Sequence, residues 1–354
     1  MRAVAPWIFA AILVAALFQR IPFKAVVAAA QQANAPLFIA VVFSGAVTWF
    51  LLDTLAYRFL FSVTSLKGNR LSARQARSLR GMTYLLAPIH WNVGQAAVAL
   101  RLKMRHQVPL LEGASSLLLY QLLSLFALSI LGVTGLLFWP LIRGQEATTS
   151  AFPLTSTALP YALAITFSLA SGIAGAYLAL RRDLPGWPLL RRVQQAPLFA
   201  AFRTTRIRDL LILSLIKIAY QTVFAGVFFC GLHAFGVEIP LTVVLIATPF
   251  IQIAGGLPIT PAGLGTQQAA MIYFFAGAFG EAGNEAAVAA FAFSFPFLLL
   301  LMRGGIGLSY LPDLQRERII QRGREDAGSA GTTGAAGTAD AERRSAKRPE
   351  TRSA

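Results

Sequence analysis

Two ionisable side chains stand inside long apolar runs of this chain: Asp53 in the run 36–63 and Lys217 in the run 209–235. A carboxylate surrounded by hydrocarbon is costly unless it is paired, so its presence points to function by default. Pairing with Arg58 near an interface, or a hydrogen bond from Tyr57, would instead make Asp53 structural. Lys217 lies about two turns into its segment. From there its stem can snorkel to the nearer surface, or the residue can line a polar path with Tyr220 and Gln221, which fall on nearby faces.

A second set of polar residues gathers around two breaks in apolar sequence. His90, Asn92, Gln95 and Arg101 follow Pro88 in "GMTYLLAPIHWNVGQAAVAL". Gln252, Thr260, Thr266, Gln267 and Gln268 surround the charge-free "GGLPITPAGLG" at 255–265, which contains Pro258, Pro261, Gly263 and Gly265. Proline and glycine at this density end a helix. The freed N–H groups of a half-helix that restarts after such a break form an anion site, so each turn could hold a phosphate of a lipid head group. The same side chains suit a second role, satisfying the broken backbone itself.

Other chemistries find little support. The 3 histidines, His90, His106 and His233, lie in different segments, so they imply no metal. An intramembrane aspartyl protease needs an aspartate beside its glycine turn, and Gly263-Leu264-Gly265-Thr266 has none. The phosphate-cradling GxxxxGK[ST] pattern is absent. No cofactor is implied, and an enzyme reading rests on Asp53 or His90 acting as a base on a lipid-linked substrate.

These residues need elements to position them, and composition says which. Of 354 residues 56% are hydrophobic and 13% charged, with a mean hydropathy of +0.61. Such values lie outside the soluble globular range, and the apolar runs approach the roughly 20 residues that cross a bilayer core. The sequence predicts an all-α polytopic membrane protein with about seven to nine hydrophobic segments: 5–19, 36–63, 80–100, 110–139, 158–180, 209–235, 240–256, 266–280 and 286–310. The first reads as a retained helix rather than a cleaved signal. The net charge of +16 is read as membrane topology rather than nucleic-acid binding, because the arginines fall between spans. Cys230 is the 1 cysteine, so no internal disulfide can form.

Basic loops place the chain's sides. Lys67, Arg70, Arg74, Arg77 and Arg80 precede segment 80–100, and Arg101, Lys103 and Arg105 follow it. Both flanks are therefore expected in the cytoplasm, so 80–100 is read as two half-helices that enter and turn back. The arginines at 70, 74, 77 and 80 are read as one helical face suited to anionic head groups. The loop 181–208, with seven arginines, is also expected to be cytoplasmic. Glu238 and the Glu281/Glu285 pair mark the outside, so 240–280 is read as a second broken hairpin entering from the opposite face. Two candidate broken or re-entrant hairpins of opposite entry are the sequence trace of an inverted repeat; prolines kinking ordinary full spans remain the alternative. The fifth span aligns Ala164, Ser168, Gly172 and Ala176, a close-packing face.

At this point the chain resembles the transmembrane region of lysylphosphatidylglycerol synthases and their stand-alone, flippase-like relatives. "LPITPAGLGTQQAA" at 257–270 is similar to a family pattern LPxSPGGLGxxExA, and "HWNVGQAAVALRLKMR" at 90–105 matches more weakly. The resemblance implies a protein that moves or handles lipids between leaflets. In aminoacylating members the transfer belongs to a separate soluble domain, which nothing after residue 312 could form, so lysyl transfer is not expected. Where the family tends to carry acids this chain has Gln95 and Gln268; Gln267 replaces a commonly basic position, and Val98 an arginine, with Arg101 nearest. A neutral or anionic lipid then fits better than a cationic one.

The expectation is a flippase-like domain over 1–312 and a disordered cytoplasmic tail over 313–354. The site lies between turns 88–95 and 258–268, in the cytoplasmic membrane, with both termini inside. Membrane lipids are the expected partners, and a non-transporting scaffold for a separate lipid-modifying enzyme is a further reading.

Overall fold

The computed structural model describes residues 5–64, 71–86, 91–143, 154–181, 192, 195–257, 260, 263–278 and 284–312. The chain divides into a unit Met1–Leu308 and a unit Ser309–Ala354. The predicted tail, 313–354, lies outside the described residues, as do His90, Pro88, Lys67, Arg70, Pro258, Pro261 and Glu281.

Every regular element among the described residues is helical. They are α1 (Ala5–Arg20), α2 (Phe23–Gln32), α3 (Ala35–Val63), α4 (Ala73–Leu86), α5 (Trp91–His106), α6 (Leu110–Arg143), α7 (Leu154–Arg181), α8 (Ala200–Thr204), α9 (Ile207–Ala234), α10 (Leu241–Gly256), α11 (Thr266–Ile272) and α12 (Glu285–Ser309). A 3-10 turn precedes α8, and a π-helical turn, Tyr273–Ala278, extends α11. Among the described residues α3, α6, α9 and α12 are long and apolar enough to cross a membrane. The chain is an all-α, multi-pass membrane protein.

Helix starts follow local chemistry. The Asn34 side chain accepts a hydrogen bond from the Leu37 N–H at 3.1 Å, with a proline in the first turn of α3, the pairing that favours helix initiation. One element was not foreseen in the sequence: Phe23–Gln32 is a helix, bent by 82° from the preceding one. Pro22 lies at the bend, where its ring fixes φ and no side chain caps α2.

Both expected breaks are present. Segment 80–100 is two helices, α4 and α5, beginning at residue 73 and ending at 106. With 14 and 16 residues, they are about 21 and 24 Å long, short of a hydrocarbon core of about 30 Å. They pack on each other and between α3 and α6. Their approach needs Gly94, where an added Cβ would sit 2.8 Å from the Thr83 methyl and 3.1 Å from its carbonyl. The second pair, α10 of 16 residues and α11 of 7, is also short and packs mainly on α6 and α9.

The two pairs sit in different cores. Ala56, Tyr57, Leu60 and Phe61 of α3 join Leu79, Val98, Leu102 and the first turns of α6 and α9 in one cluster. Val42, Ala46 and Trp49 of α3 join the last turns of α6 and α9, α10, α11 and α12 in the other. The three long helices α3, α6 and α9 therefore run through both cores, and the boundary falls near their middle.

Candidate functional site

That boundary is where the chain buries charge. Asp53 is 1% exposed, Arg80 0% and Lys217 3%. The Arg80 guanidinium donates to Asp53 Oδ2, the Tyr120 hydroxyl donates to Asp53 Oδ1, and Lys217 Nζ lies 3.3 Å from the same Oδ1. Lys217 also stands 3.3 Å from the centre of the Tyr120 ring and 4.9 Å from that of Tyr220, and Arg80 stands 4.8 Å from that of Tyr84. Removing charges from water is repaid only when geometry and extra hydrogen bonds are good, and here three donors converge on one carboxylate.

The depth of this group follows from the helices. Asp53 lies ten residues before the end of α3 at Val63, and Lys217 and Tyr120 lie ten residues after the starts of α9 and α6 at Ile207 and Leu110. Those three ends are on the same side, since at the start of α6 the Ser116 hydroxyl donates to Thr64 beyond α3 at 2.7 Å and Ser115 Oγ accepts from the Ala201 N–H, in the short helix just before α9, at 2.9 Å. Ten residues of helix are about 15 Å, so the group is buried about that far from those helix ends.

Two readings of the sequence change here. Arg58 does not pair with Asp53; its Nε donates to the Leu71 carbonyl at 3.1 Å. Lys217 does not snorkel, because Asp53 holds it inside. A third correction concerns the arginine face. Arg74 and Arg77 are exposed but Arg80 is buried, because two successive spacings of three turn a helix 120° from the first position. Arg80 thus lies on the buried side of α4 with Ala76, Leu79 and Thr83.

The first hairpin enters the group through Gln95. Its Oε1 accepts from the Tyr57 hydroxyl at 3.0 Å, and that hydroxyl accepts from Arg80 at 3.3 Å. Arg101 does not reach the group; it donates to Ser78 Oγ at 3.1 Å, joining α5 back to α4. Asn92 is in the first turn of α5.

The second hairpin touches the same face of α9 one turn further on. Gln252 Nε2 donates to Gln221 Oε1 at 2.6 Å, and Gln221 follows Lys217 by four positions. The turn itself is internally satisfied. Gln268 Oε1 accepts from the Gly265 N–H at 2.7 Å, Thr266 Oγ1 donates to the Gly263 carbonyl at 3.2 Å, and Thr260 and Thr266 hydroxyls meet at 3.2 Å. Gln267 lies along Gly255. Gly263 and Gly265 have φ of 75° and 87°, and a Cβ on Gly263 would stand 2.5 Å from the Gly255 carbonyl oxygen. Here the polar residues satisfy the broken backbone.

Sequence reasoning singled out Asp53, Lys217 and Gln95 but missed Arg80 and Tyr120 as their partners. The available signal was an arginine among the apolar positions of a short helix. A cavity of about 230 Å³ lined by Thr64, Glu112, Ser116, Arg203 and Thr204 lies at the helix ends rather than beside either turn. No curated protein and no solved structure matches this chain. The family model of the lysylphosphatidylglycerol synthase TM region matches residues 3–302, which include both hairpins and every member of the buried charged group, and the chain belongs to that family.

Proposed function

We propose that the protein moves lipids between the leaflets of the cytoplasmic membrane, as a flippase-like transporter of a neutral or anionic lipid. The observation that carries this reading is the polar face of α9, about 15 Å from the start of that helix. Lys217 joins the first hairpin through Asp53, Arg80, Tyr57 and Gln95, and Gln221 joins the second through Gln252. Transporters built from broken helices place their sites near the bilayer midplane, between such helices. A lipid head group crossing there exchanges its hydration for these side chains.

The charge placement in the sequence supports termini in the cytoplasm and hairpins of opposite entry. A separate lipid-modifying enzyme is a partner compatible with this role. An embedded enzyme using Asp53 as base is disfavoured, since Lys217 and Tyr120 occupy one carboxylate oxygen and Arg80 the other.

Reconstituted liposomes with a fluorescent phospholipid test the reading. Wild-type protein is expected to expose label on the far leaflet to a membrane-impermeant quencher, and Lys217→Met is expected to slow this at least about tenfold, a barrier change of about 1.4 kcal/mol. Wild-type liposomes that translocate no faster than empty ones, or equal rates in both proteins, would refute it.

A further inference from the structure

The group around Asp53 is unbalanced in a consistent direction. Asp53 and the two cations that contact it, Arg80 and Lys217, sum to one positive charge, and Arg303 stands on the Tyr84 ring at 5.5 Å. Both oxygens of the one carboxylate are taken. Around them stand buried donors with no acceptor among the described residues: the Gln95 Nε2, the Tyr84 hydroxyl and the Trp49 Nε1.

Each of these donors is one side chain from a cation. Gln95 reaches Arg80 through Tyr57. Tyr84 lies under Arg80, which offers donors only, so the phenol proton finds no acceptor there. Trp49 precedes Asp53 by one turn of α3 and meets the Tyr220 ring at 6.1 Å, the ring that Lys217 approaches. An excess of donors together with an excess of positive charge specifies the missing complement: a singly charged group that only accepts hydrogen bonds, through more than one oxygen.

We infer that the Arg80, Lys217, Gln95 and Tyr84 side chains form a binding site for a singly charged phosphate group, supplied by the phosphodiester of an anionic lipid. The choice of phosphodiester over another anion rests on the transport reading above; the anion site itself rests on the charge and donor count. Binding brings the group of Asp53, Arg80 and Lys217 to neutrality and gives the idle donors their acceptors. It also explains why an amide stands at Gln95. An amide oxygen serves Tyr57 while its nitrogen faces the anion, whereas a carboxylate would cancel the excess charge.

The test uses the full-length protein in maltoside micelles free of phosphate. Phosphatidylglycerol, diacylglycerol with the same acyl chains, and inorganic phosphate are titrated in turn, and intrinsic fluorescence and the thermal midpoint are read. Phosphatidylglycerol is expected to saturate and to raise the midpoint, and diacylglycerol to do neither. Gln95→Glu keeps the acceptor for Tyr57 and is expected to weaken phosphatidylglycerol at least about tenfold. Tyr84→Phe, which deletes one hydroxyl and keeps the ring, is expected to weaken it about threefold to tenfold.

Saturation by inorganic phosphate, with no added affinity from phosphatidylglycerol, keeps the anion site and assigns it to free phosphate. Diacylglycerol binding as tightly as phosphatidylglycerol, or wild-type affinity in both variants, overturns the site. The liposome assay separates the two claims. A neutral lipid translocated at the wild-type rate by Gln95→Glu leaves the transport reading standing without the anion site. Selective phosphatidylglycerol binding with no translocation leaves the site standing without transport.

Discussion

The two broken hairpins solve the same problem in opposite ways. Each is a pair of short helices packed on each other, and each closes on a glycine, Gly94 against Thr83 in the first and Gly263 against Gly255 in the second. The second then meets its needs internally, through Gln268, Thr266 and Thr260. The first sends its polar groups outward: Arg80 and Gln95 engage Asp53 and Tyr57 of α3, and through Asp53 reach Lys217 of α9. The difference separates a hairpin that satisfies its own polar groups from one whose polar groups tie it to neighbouring helices, α3 and, through Asp53, α9. A ligand that competes for Arg80 or Lys217 would act on the first kind and pass the second by.

The comparison predicts a ranking of stabilities, read by equilibrium unfolding in mixed micelles. Asp53→Ala leaves two cations buried without a carboxylate and is expected to lower stability by about 3–5 kcal/mol. If it is as mild as the substitutions below, the charged group is not what holds the first hairpin. Gly263→Ala forces a Cβ against the Gly255 carbonyl at a positive φ and should remove about 1–3 kcal/mol. The control Gly256→Ala, with nothing within 4 Å, should be neutral or gain up to about 1 kcal/mol. Equal effects at the two glycines would show that the turn is not tightly closed.

Gln268→Ala strips the cap from the Gly265 N–H and should lose about 1–2 kcal/mol, with translocation changed less than by Lys217→Met. The smallest effect is expected at the seam between hairpins. A double-mutant cycle of Gln221→Ala and Gln252→Ala should give a coupling of about 0.5–1.5 kcal/mol, and a coupling of zero would mean that α9 does not link the second hairpin to the first.

Much of the architecture was readable from the chain, because the bilayer imposes few rules. Apolar run length announced the spans, Pro88 and the GGLPITPAGLG stretch announced the breaks, and loop arginines suggested the sides. The bend before α2 was not readable: Phe23–Gln32 carries too few apolar residues to register as a span, and its direction is set by packing. Nor was the partner of Asp53. The nearest cation in sequence, Arg58, is five positions away, but one turn plus a residue carries it to another face of α3. Arg80 and Lys217 come from 27 and 164 positions away, separations that only the packing of α3, α4 and α9 can close.

The cap at the second turn has one more consequence. A carboxylate at 268 would accept the Gly265 N–H more strongly while ionised than as the neutral acid, so its protonation would weaken the turn. The amide of Gln268 has no such titration. Its hydrogen bond to Gly265 is the same in acid and in alkali, so the geometry of this turn is indifferent to a proton gradient across the membrane, and any response of the protein to pH must originate elsewhere in the molecule.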